Sequence, residues 1–561
     1  MPEKSSYIGS TAELMWALVL KTLLWVIAPI LLTAFYIYIN PDWYGDAVWY
    51  ATDLKQALAG GSLPEPDSGH LLWRPLGYFT AVLIHRLSGE LHDPLFILQC
   101  WSALFMALTA FTVYFISRQL ELPFQAAIAS ALIVALSNFA LSYGGSGSAY
   151  SAAQFFITLS FLLALKEYPA KDDIILSALF FVTAVLFWAP AVLLFPALVI
   201  SGYMRSGGGR RARIQAVVSL VSVFVTTLGI ALGSAYLLGV SPQINKSFLA
   251  WLSESSHNIP LTFSLAGVLR AALGFMQSFI YLGDTGTAFK TALFAGEKLP
   301  LAEYWQYLAA LFCFVITIIL SLAGHLRRLF YGDRTAKILL SVALVSLIPV
   351  TAFSILWQGS DIERFSPLLP FVAVTIVAGL SEVPLFFSLG FNRSKNFIPA
   401  LAILIGCFNF VTISASYTFG ERGIMRRLMA EAEKHMPANS LVVLHGQSLG
   451  PSVWAPLEYF SNIKSFSVLY DIQTVGVKGW DKRLEHEIEK TLKSGGEVAV
   501  LSDLVGIKTE GGIGLSQVEY PRPSDEELKN FFRSYIQGER WRAGRFLFVE
   551  IKRKNEDIVN N

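Results

Sequence analysis

Eleven long apolar runs constrain what this chain can fold into. A helix needs roughly 17–25 apolar residues to cross about 30 Å of hydrocarbon. The runs cover residues 15–38, 95–117, 124–143, 150–167, 173–188, 189–204, 214–239, 304–325, 338–357, 367–388 and 397–416. They predict a polytopic α-helical membrane protein with about 11 spans. The short runs between 173 and 204 are expected to form a tight hairpin, because Pro190 lies near their junction.

The composition supports the same fold class. Hydrophobic residues make up 54% of the chain and charged residues only 15%, whereas a soluble protein has roughly 25% charged residues. The net charge of +2 gives no reason to expect a nucleic-acid partner. All three cysteines lie in apolar segments, so no disulfide framework is expected. The first apolar run is interpreted as an uncleaved anchor, because no small-residue cleavage site follows it.

Lysine and arginine are distributed unevenly between alternate loops. One set of loops holds Lys4, Arg118, Lys166, Lys171, Arg205, Arg210, Arg211, Arg213, Arg327, Arg328, Arg334, Lys337, Arg393 and Lys395. The opposite loops are longer in total and contain fewer basic residues. Because cytoplasmic loops are enriched in Lys and Arg, the N-terminus is predicted to be cytoplasmic and the C-terminal part extracytoplasmic.

Two further apolar stretches, 71–88 and 262–283, contain arginine and are of borderline length. We interpret both as helices in the outer interface. Counting only one of them as a span would place the Lys- and Arg-rich loops that follow it on the extracytoplasmic side, against the charge rule. Counting both as spans is the alternative. The membrane domain is therefore predicted to cover residues 1–416, with interfacial helices in the outer loops 40–94 and 240–303.

Residues 417–561 have a different composition and are predicted to form a small soluble α/β domain. The segments LVVLHG, SFSVLY, EVAVLS and RFLFVEIKR are typical of short strands. Between them, DKRLEHEIEKTLKSGG has the apolar spacing of an amphipathic helix. Ser524 and Glu527 are spaced as a capping box at the start of another helix.

A nucleophile-elbow pattern, Gly446-Gln447-Ser448-Leu449-Gly450, follows the first of these strands. Asp471 and His486 are the acid and histidine that a hydrolase would need. We expect an ordinary turn instead, because Pro451 disfavours the helix that must follow the elbow, and because the domain is short for a hydrolase.

The segment 40–88 places an unusual number of ionisable residues at the predicted outer edge of the membrane. They are Asp42, Asp46, Asp53, Glu65, Asp67, His70 and Arg74. Most of the acids are expected to be solvated loop residues. Asp46 differs because it begins an amphipathic helix directly after the first span, which fixes it over the outer mouth of the bundle. Trp43, Trp49, Trp73 and Trp357 are expected to belong first to the interfacial aromatic belt, with a role as sugar platforms as the second interpretation.

This order of residues resembles the GT-C glycosyltransferases, in particular protein O-mannosyltransferases and aminoarabinose transferases. The acid after the first span is Gly45-Asp46-Ala47, and the glycine break after the short helix is Gly60-Gly61. An interfacial helix follows in His70-Leu71-Leu72-Trp73-Arg74-Pro75-Leu76-Gly77-Tyr78. Glu363-Arg364-Phe365, with Pro367 and Pro370, is similar to an outer-loop element of that family. The resemblance covers essentially the whole membrane part.

The resemblance implies a multi-pass protein of the bacterial inner membrane that takes a sugar from a polyprenyl-phosphate carrier. The acceptor would be a glycan, a lipid or a protein, and membrane lipids would surround the chain. In this interpretation Asp46 is the catalytic base, and Arg74 and Arg364 bind the donor phosphate. His70, Asp67 and Glu363 are candidate substrate-binding residues.

The chain departs from the family pattern in one loop. Many relatives have a second acid after the third span, where this sequence has SYGGSGSAYSAAQ. No residue is therefore assigned as a metal ligand and no cofactor is expected, while a divalent metal ion stays open. Two other functions also stay open. One is a lipid flippase or transporter, and the other is a non-catalytic subunit of a polysaccharide or glycolipid assembly machine.

Overall fold

The computed structural model describes residues 26–39, 46–207, 209–240, 247–253, 261–283, 301–357, 359, 361–382, 391–419, 424–445, 451–507, 523–543 and 546–554. The described part of every apolar run predicted as a span is mainly helical, and the run 124–143 is broken at Leu136 and Ser137. The helices of the membrane part are α1 Val26–Ile39, α2 Ala47–Gly60, α3 Trp73–Ser88, α4 Pro94–Gln119, α5 Phe124–Ala135, α6 Asn138–Tyr143, α7 Tyr150–Ala164, α8 Lys171–Phe187, α9 Phe195–Arg205, α10 Gly209–Ala235, α11 Phe248–Ser253, α12 Leu265–Phe279, α13 Leu301–Phe330, α14 Arg334–Leu356, α15 Leu369–Leu380 and α16 Phe391–Phe419.

Length and composition identify five helical segments of the described chain as able to cross a membrane. They are Pro94–Gln119, Gly209–Gly239, Tyr304–Phe330, Arg334–Leu356 and Ile362–Leu380. Six shorter apolar segments accompany them, at Val26–Ile39, Phe124–Ala135, Tyr150–Ala164, Ala189–Arg205, Leu265–Phe279 and Ile398–Ser414. The chain is therefore a polytopic helical membrane protein, and the number of eleven spans stays a prediction.

The core of the bundle is built by α4, α5, α7, α8 and α15, which pack closely on one another. Small residues make this close packing possible. In α7, Ala152 and Ala153 are fully buried, and Ser160 bonds across to Ser177 of α8. The helices on the outside, α10 and α13, expose most of their apolar side chains. Such an apolar exterior is what a lipid environment requires.

The helix pair predicted between 173 and 204 breaks where the sequence indicated. α8 ends at Phe187, and Trp188 is extended. Two residues later comes Pro190, which has no N–H to continue the helix. A 3-10 turn, Ala189–Leu194, then leads into α9. This break leaves the last carbonyls of α8 without helical partners.

The interfacial segments form short helices. α3 has 16 residues and α12 has 15, and both are shorter than a typical span. α3 buries Trp73, Arg74, Gly77 and Ala81 on one face and exposes Phe79, Leu83 and Leu87 on the other. Placement in the outer interface is consistent with this two-faced character and stays a prediction.

The C-terminal part contains a five-stranded sheet flanked by helices. Its strands are β1 Leu441–Leu444, β2 Lys464–Ser467, β3 Val498–Leu501, β4 Tyr535–Ala543 and β5 Phe546–Arg553, and its helices are α17 Ile424–His435, α18 Pro451–Ser461, α19 Val468–Val475, α20 Trp480–Lys493 and α21 Asp525–Phe532. The strand order is β2-β1-β3-β5-β4. The first three strands are parallel, and β5 runs antiparallel to both β3 and β4. This is the small α/β domain that the strand and helix alternation predicted.

Local sequence signals in this domain were mostly correct. Leu484 and Ile488 of α20 are fully buried, and Gly495 follows the helix with φ +80°. The capping box is present, since Ser524 and Glu527 exchange hydrogen bonds. The segment SFSVLY was predicted as one strand, but the side-chain oxygen of Ser467 caps α19, so only its first half belongs to β2.

The nucleophile-elbow pattern at 446–450 lies outside the described residues. The expectation that Pro451 disfavours a following helix was wrong, because α18 begins at this residue and proline is well tolerated in the first turn of a helix. The other triad candidates are differently engaged. Asp471 pairs bidentately with Arg483, and His486 is exposed on α20.

Candidate active site

A cavity of about 440 Å³ opens at the end of the bundle where α1 leads into α2. Its polar lining consists of Asp46, His70, Tyr150, Glu363 and Arg364. Its apolar lining consists of Gly69, Trp188, Ala189, Pro190, Val192, Leu193, Leu261, Phe353 and Trp357. Four of the six residues proposed from the sequence therefore meet in one cavity. Arg74 and Asp67 are outside its described lining.

Asp46 immediately precedes α2, and it lines the cavity. Burial is the main cause that raises the pKa of its carboxyl from 3.8 to about 6. The nearby Glu363 raises this pKa further, and His70 partly offsets both effects. A glycine allows α2 to begin here. Gly147 has φ +87°, and a Cβ on it would lie 3.3 Å from the Cβ of Ala47.

Glu363 and Arg364 lie on a 3-10 turn, Ile362–Leu368, that leads into α15. They are 9% and 8% exposed. Arg364 Nη2 lies 3.2 Å from Glu363 Oε1, and the Arg364 guanidinium stacks 4.0 Å from the ring centre of Trp357. Gln154 of α7 fixes the turn by donating 2.7 Å to the carbonyl of Ser366. The guanidinium is thus held in one plane at the cavity wall.

His70 is held by the broken end of α8. Its Nδ1 lies 2.9 Å from the carbonyl oxygen of Phe187. Two backbone hydrogen bonds also join the segment around His70 to the end of α8: Leu72 N donates to the Leu186 carbonyl, and Ala189 N donates to the Gly69 carbonyl. A proton on Nδ1 leaves Nε2 as an acceptor in the neutral ring. His70 can therefore accept a hydrogen bond from a substrate hydroxyl.

Arg74 is 8% exposed and is engaged by carboxylates. Its Nη2 lies 3.0 Å from Asp53 Oδ2 and 3.6 Å from Asp67 Oδ2. Its guanidinium also lies 5.8 Å from the ring centre of Trp49. The expectation that Asp53 and Asp67 are solvated loop acids was therefore wrong, because Arg74 binds both and ties α2 to the start of α3.

Two tyrosines and two tryptophans of this region were not singled out as site residues by the sequence. The Tyr143 hydroxyl donates to Glu363 Oε2 over 3.2 Å, and Tyr150 lines the cavity. Trp357 is 7% exposed and Trp73 is fully buried, so neither is an interfacial belt residue. For Tyr143 and Tyr150 the only sequence signal was their position on either side of the glycine-rich turn at 144–149, which brings α6 and α7 to the cavity.

The described residues do not fit a divalent metal ion. Among them, no three His, Cys, Asp or Glu side chains are grouped as metal ligands. The two carboxylate oxygens of Glu363 already contact Arg364 and Tyr143. The described turn after the third predicted span adds only buried serines and glycines at this point. Hard cations are normally bound by several oxygen ligands, and the described residues bring no such set together here.

The apolar side of the cavity reaches the outside of the bundle. Val192 is 39% exposed and Leu261 is 60% exposed, and both also line the cavity. They belong to separate elements, the 3-10 turn before α9 and the segment before α12. A long apolar substituent can therefore enter between these elements while its polar end reaches Asp46 and Arg364.

Comparison with known proteins identifies the fold. No protein-family model and no curated protein matches the sequence. Solved structures match over nearly the whole chain, and they are membrane glycosyltransferases of the GT-C class. The chain has the GT-C fold, as the order of its sequence elements indicated.

Particular structures show how far this likeness extends. ArnT from Cupriavidus metallidurans in the apo state is 12% identical, with a TM-score of 0.57, and the match covers 95% of this chain and 98% of ArnT. The same protein bound to undecaprenyl phosphate gives 10% identity, a TM-score of 0.55, and coverage of 94% and 97%. The oligosaccharyltransferase AglB from Archaeoglobus fulgidus, in complex with an inhibitory peptide and a dolichol-phosphate, is 12% identical with a TM-score of 0.50. The match covers 96% of this chain and 75% of AglB.

Proposed function

We propose that this protein is a glycosyltransferase that moves a sugar from a polyprenyl-phosphate carrier to an acceptor hydroxyl at the extracytoplasmic face of the membrane. The observation that carries the proposal is the two-sided cavity. A base and a guanidinium meet on its polar side, and its apolar side reaches the exterior of a membrane protein. The ligands bound in the ArnT and AglB structures, undecaprenyl phosphate and dolichol-phosphate, are of this chemical class.

Asp46 acts as the general base in this proposal. Its carboxylate accepts the proton of the acceptor hydroxyl while the hydroxyl oxygen forms a bond to the anomeric carbon of the sugar. A general base is most effective when its pKa lies near the working pH. Burial raises the pKa of Asp46 to about 6. It is thus more basic than an ordinary aspartate and still largely ionised at neutral pH.

Arg364 stabilises the leaving group. As the bond between the anomeric carbon and the phosphate oxygen breaks, the lipid phosphate takes the electron pair and gains negative charge. Arginine forks match phosphate oxygens, and stacking on Trp357 with pairing to Glu363 holds this one in place beforehand. Such preorganisation avoids reorganisation during the reaction. Arg74 remains a weaker candidate for this role, because Asp53 and Asp67 already bind its guanidinium.

The remaining polar residues orient the sugar and the acceptor. His70 Nε2 can accept from a hydroxyl, while Tyr150 and Trp188 provide aromatic surface at the cavity wall. Glu363 contributes mainly by holding Arg364. The polyprenyl chain extends past Val192 and Leu261 toward the lipid. Asp67 affects the site through Arg74 and through the charge that it adds near Asp46.

The proposal is tested by supplying purified protein with short-chain polyprenyl-phosphate sugars and a panel of glycan, lipid and peptide acceptors. The expected result is acceptor glycosylation together with release of one polyprenyl phosphate per sugar transferred. Asp46→Asn should slow formation of both products by about 10²–10⁴-fold. Asp172→Asn, at an exposed aspartate in the first turn of α8, is the matched control.

The same assay separates the proposal from the two alternatives. A flippase moves the intact sugar-lipid between leaflets and releases no polyprenyl phosphate. A non-catalytic subunit gives neither product on its own. Donor movement in proteoliposomes without any sugar transfer would replace the proposal by the transport function.

A further inference from the structure

We propose that Tyr470 of the C-terminal domain is a positioning residue for Asp46, which it holds in place by packing on Trp49 of α2. This inference rests on the proposed function and adds a role for the C-terminal domain. It assigns to that domain a direct part in positioning the catalytic carboxylate.

The first observation is the contact itself. The Tyr470 ring stands edge-on to the Trp49 ring, with 6.2 Å between centroids and an interplanar angle of 88°. Trp49 is three residues along the chain from Asp46, in the first turn of α2. Edge-to-face aromatic pairs have a preferred geometry. A fixed Tyr470 therefore fixes the start of the helix that carries Asp46.

The second observation is that Tyr470 is itself well anchored. It lies in the first turn of α19, where its backbone N–H donates to Ser467 Oγ. The neighbouring Leu469 N–H donates 3.1 Å to the carbonyl of His445, at the end of β1. These hydrogen bonds connect Tyr470 to the C-terminal sheet. The position of Tyr470 therefore depends on the docking of the whole domain.

A separate contact docks the domain farther along α2. The Tyr459 hydroxyl of α18 donates to Asp93 Oδ1 at the start of α4, and the Lys55 ammonium lies 5.0 Å from the Tyr459 ring centre. α18 also packs against α2. Two tyrosines of one domain therefore contact the first outer loop, one near Asp46 and one remote from it. This gives a matched pair for experiment.

Arg74 also contacts this part of α2. Its guanidinium packs on the rings of Trp49 and Tyr50, and its charge is bound by Asp53 and Asp67. Trp49 therefore contacts both Arg74 and Tyr470. Removal of the Tyr470 ring takes away one of these two contacts and opens a path for water to the first turn of α2.

The charge environment agrees with this proximity. Burial and the charges of Asp46 and Asp53 raise the pKa of the Tyr470 hydroxyl to about 12. The groups that face Asp46 from the surrounding elements are Glu363, Arg364, His70, Asp67, Tyr50, Tyr150 and Tyr470. Only Tyr470 among them comes from the C-terminal domain. Its loss lets water reach Asp46 without removing a charge, so the pKa of Asp46 should fall toward its ordinary value.

The test measures the pKa of Asp46 without relying on catalysis. Thermal stability of the full-length protein in detergent is recorded from pH 4 to pH 8 for wild type and Asp46→Asn, and the pH dependence of the difference gives the pKa. The comparison is then repeated with Tyr470→Ala present in both proteins, with and without Asp46→Asn. The midpoint should move from about pH 6 to lower pH by about one unit. Tyr470→Phe keeps the ring and should restore the wild-type midpoint, and Tyr459→Phe should leave it unchanged.

Activity provides the second readout. In Tyr470→Ala, kcat should fall at least about tenfold with a smaller change in KM, and the acid limb of the pH profile should move in parallel with the midpoint. If the alanine variant does not fold, Tyr470→Leu gives the same comparison with a smaller shift. An unchanged midpoint in Tyr470→Ala or Tyr470→Leu overturns the inference. Absence of sugar transfer in wild type, with the midpoint still shifting, overturns only the proposed function.

Discussion

Replacement of Asp46 by asparagine is expected to make the protein less active and more stable at neutral pH. Asparagine keeps the size and hydrogen-bonding capacity of the side chain and removes its basicity. A general base contributes roughly 10²–10⁴-fold to a reaction. We therefore expect kcat to fall by about that factor, or about 3–5 kcal/mol of barrier. Donor binding should change little, because Arg364 and the apolar wall are unaltered.

The stability effect follows from the raised pKa of Asp46. Its carboxyl titrates near pH 6 in the folded protein and at 3.8 ordinarily, a difference of about two units, or about 3 kcal/mol if fully expressed. Because the side chain also faces the cavity, where water screens its charge, we expect on the order of 1–3 kcal/mol.

The sign of the effect is set by proton binding. Between about pH 4 and pH 6 the folded state binds more protons than the unfolded state, so the free energy of unfolding of wild type falls as pH rises through this window. Asp46→Asn cannot ionise and does not lose this stability. The variant should match wild type near pH 4 and exceed it above pH 6.

Sugar transfer and thermal unfolding, measured on the same preparations, check both parts. Asp172→Asn should leave activity and stability near wild type. A variant that is less stable than wild type at pH 7.5 would show that Asp46 is held ionised by structural partners. Full activity in Asp46→Asn would refute the assignment of the base.

Four further predictions concern other parts of the molecule. Arg364→Ala should lower kcat and weaken binding of polyprenyl phosphate at least about tenfold, whereas Arg327→Ala, at the opposite end of α13–α15, should leave binding unchanged. Tyr143→Phe removes one hydrogen bond to Glu363 and should lower stability by about 1 kcal/mol, with activity reduced but not abolished, which unfolding and transfer assays on one sample will show. Cysteines in the loop at 205–213 should be labelled only after permeabilisation, while cysteines near residue 554 should be labelled in intact cells, and the reverse pattern contradicts the predicted topology. Ser448→Ala should retain full transfer activity. Complete loss of transfer activity in a folded Ser448→Ala variant would restore the hydrolase interpretation.

The sequence alone determined the class of fold and singled out Asp46, the residue proposed as the base. Long apolar runs are sufficient to indicate membrane helices, because the length of a span is fixed by the bilayer. Asp46 could be proposed because its place depends on local features, namely the end of one apolar run and the start of an amphipathic helix. The sheet of the C-terminal domain was also largely readable, although β4 was missed because YIQGERWRA carries too many polar residues to resemble a strand.

Only the tertiary structure decided which ionisable residues act together. Arg74 and Arg364 are similar in sequence context, yet Asp53 and Asp67 bind the first while the second lines the cavity beside Asp46. Pairing of this kind depends on distances between helices that are far apart in the chain, as with Tyr143 and Glu363. The contact of Tyr470 with Trp49 depends on the docking of one domain on another, which no local pattern of residues encodes.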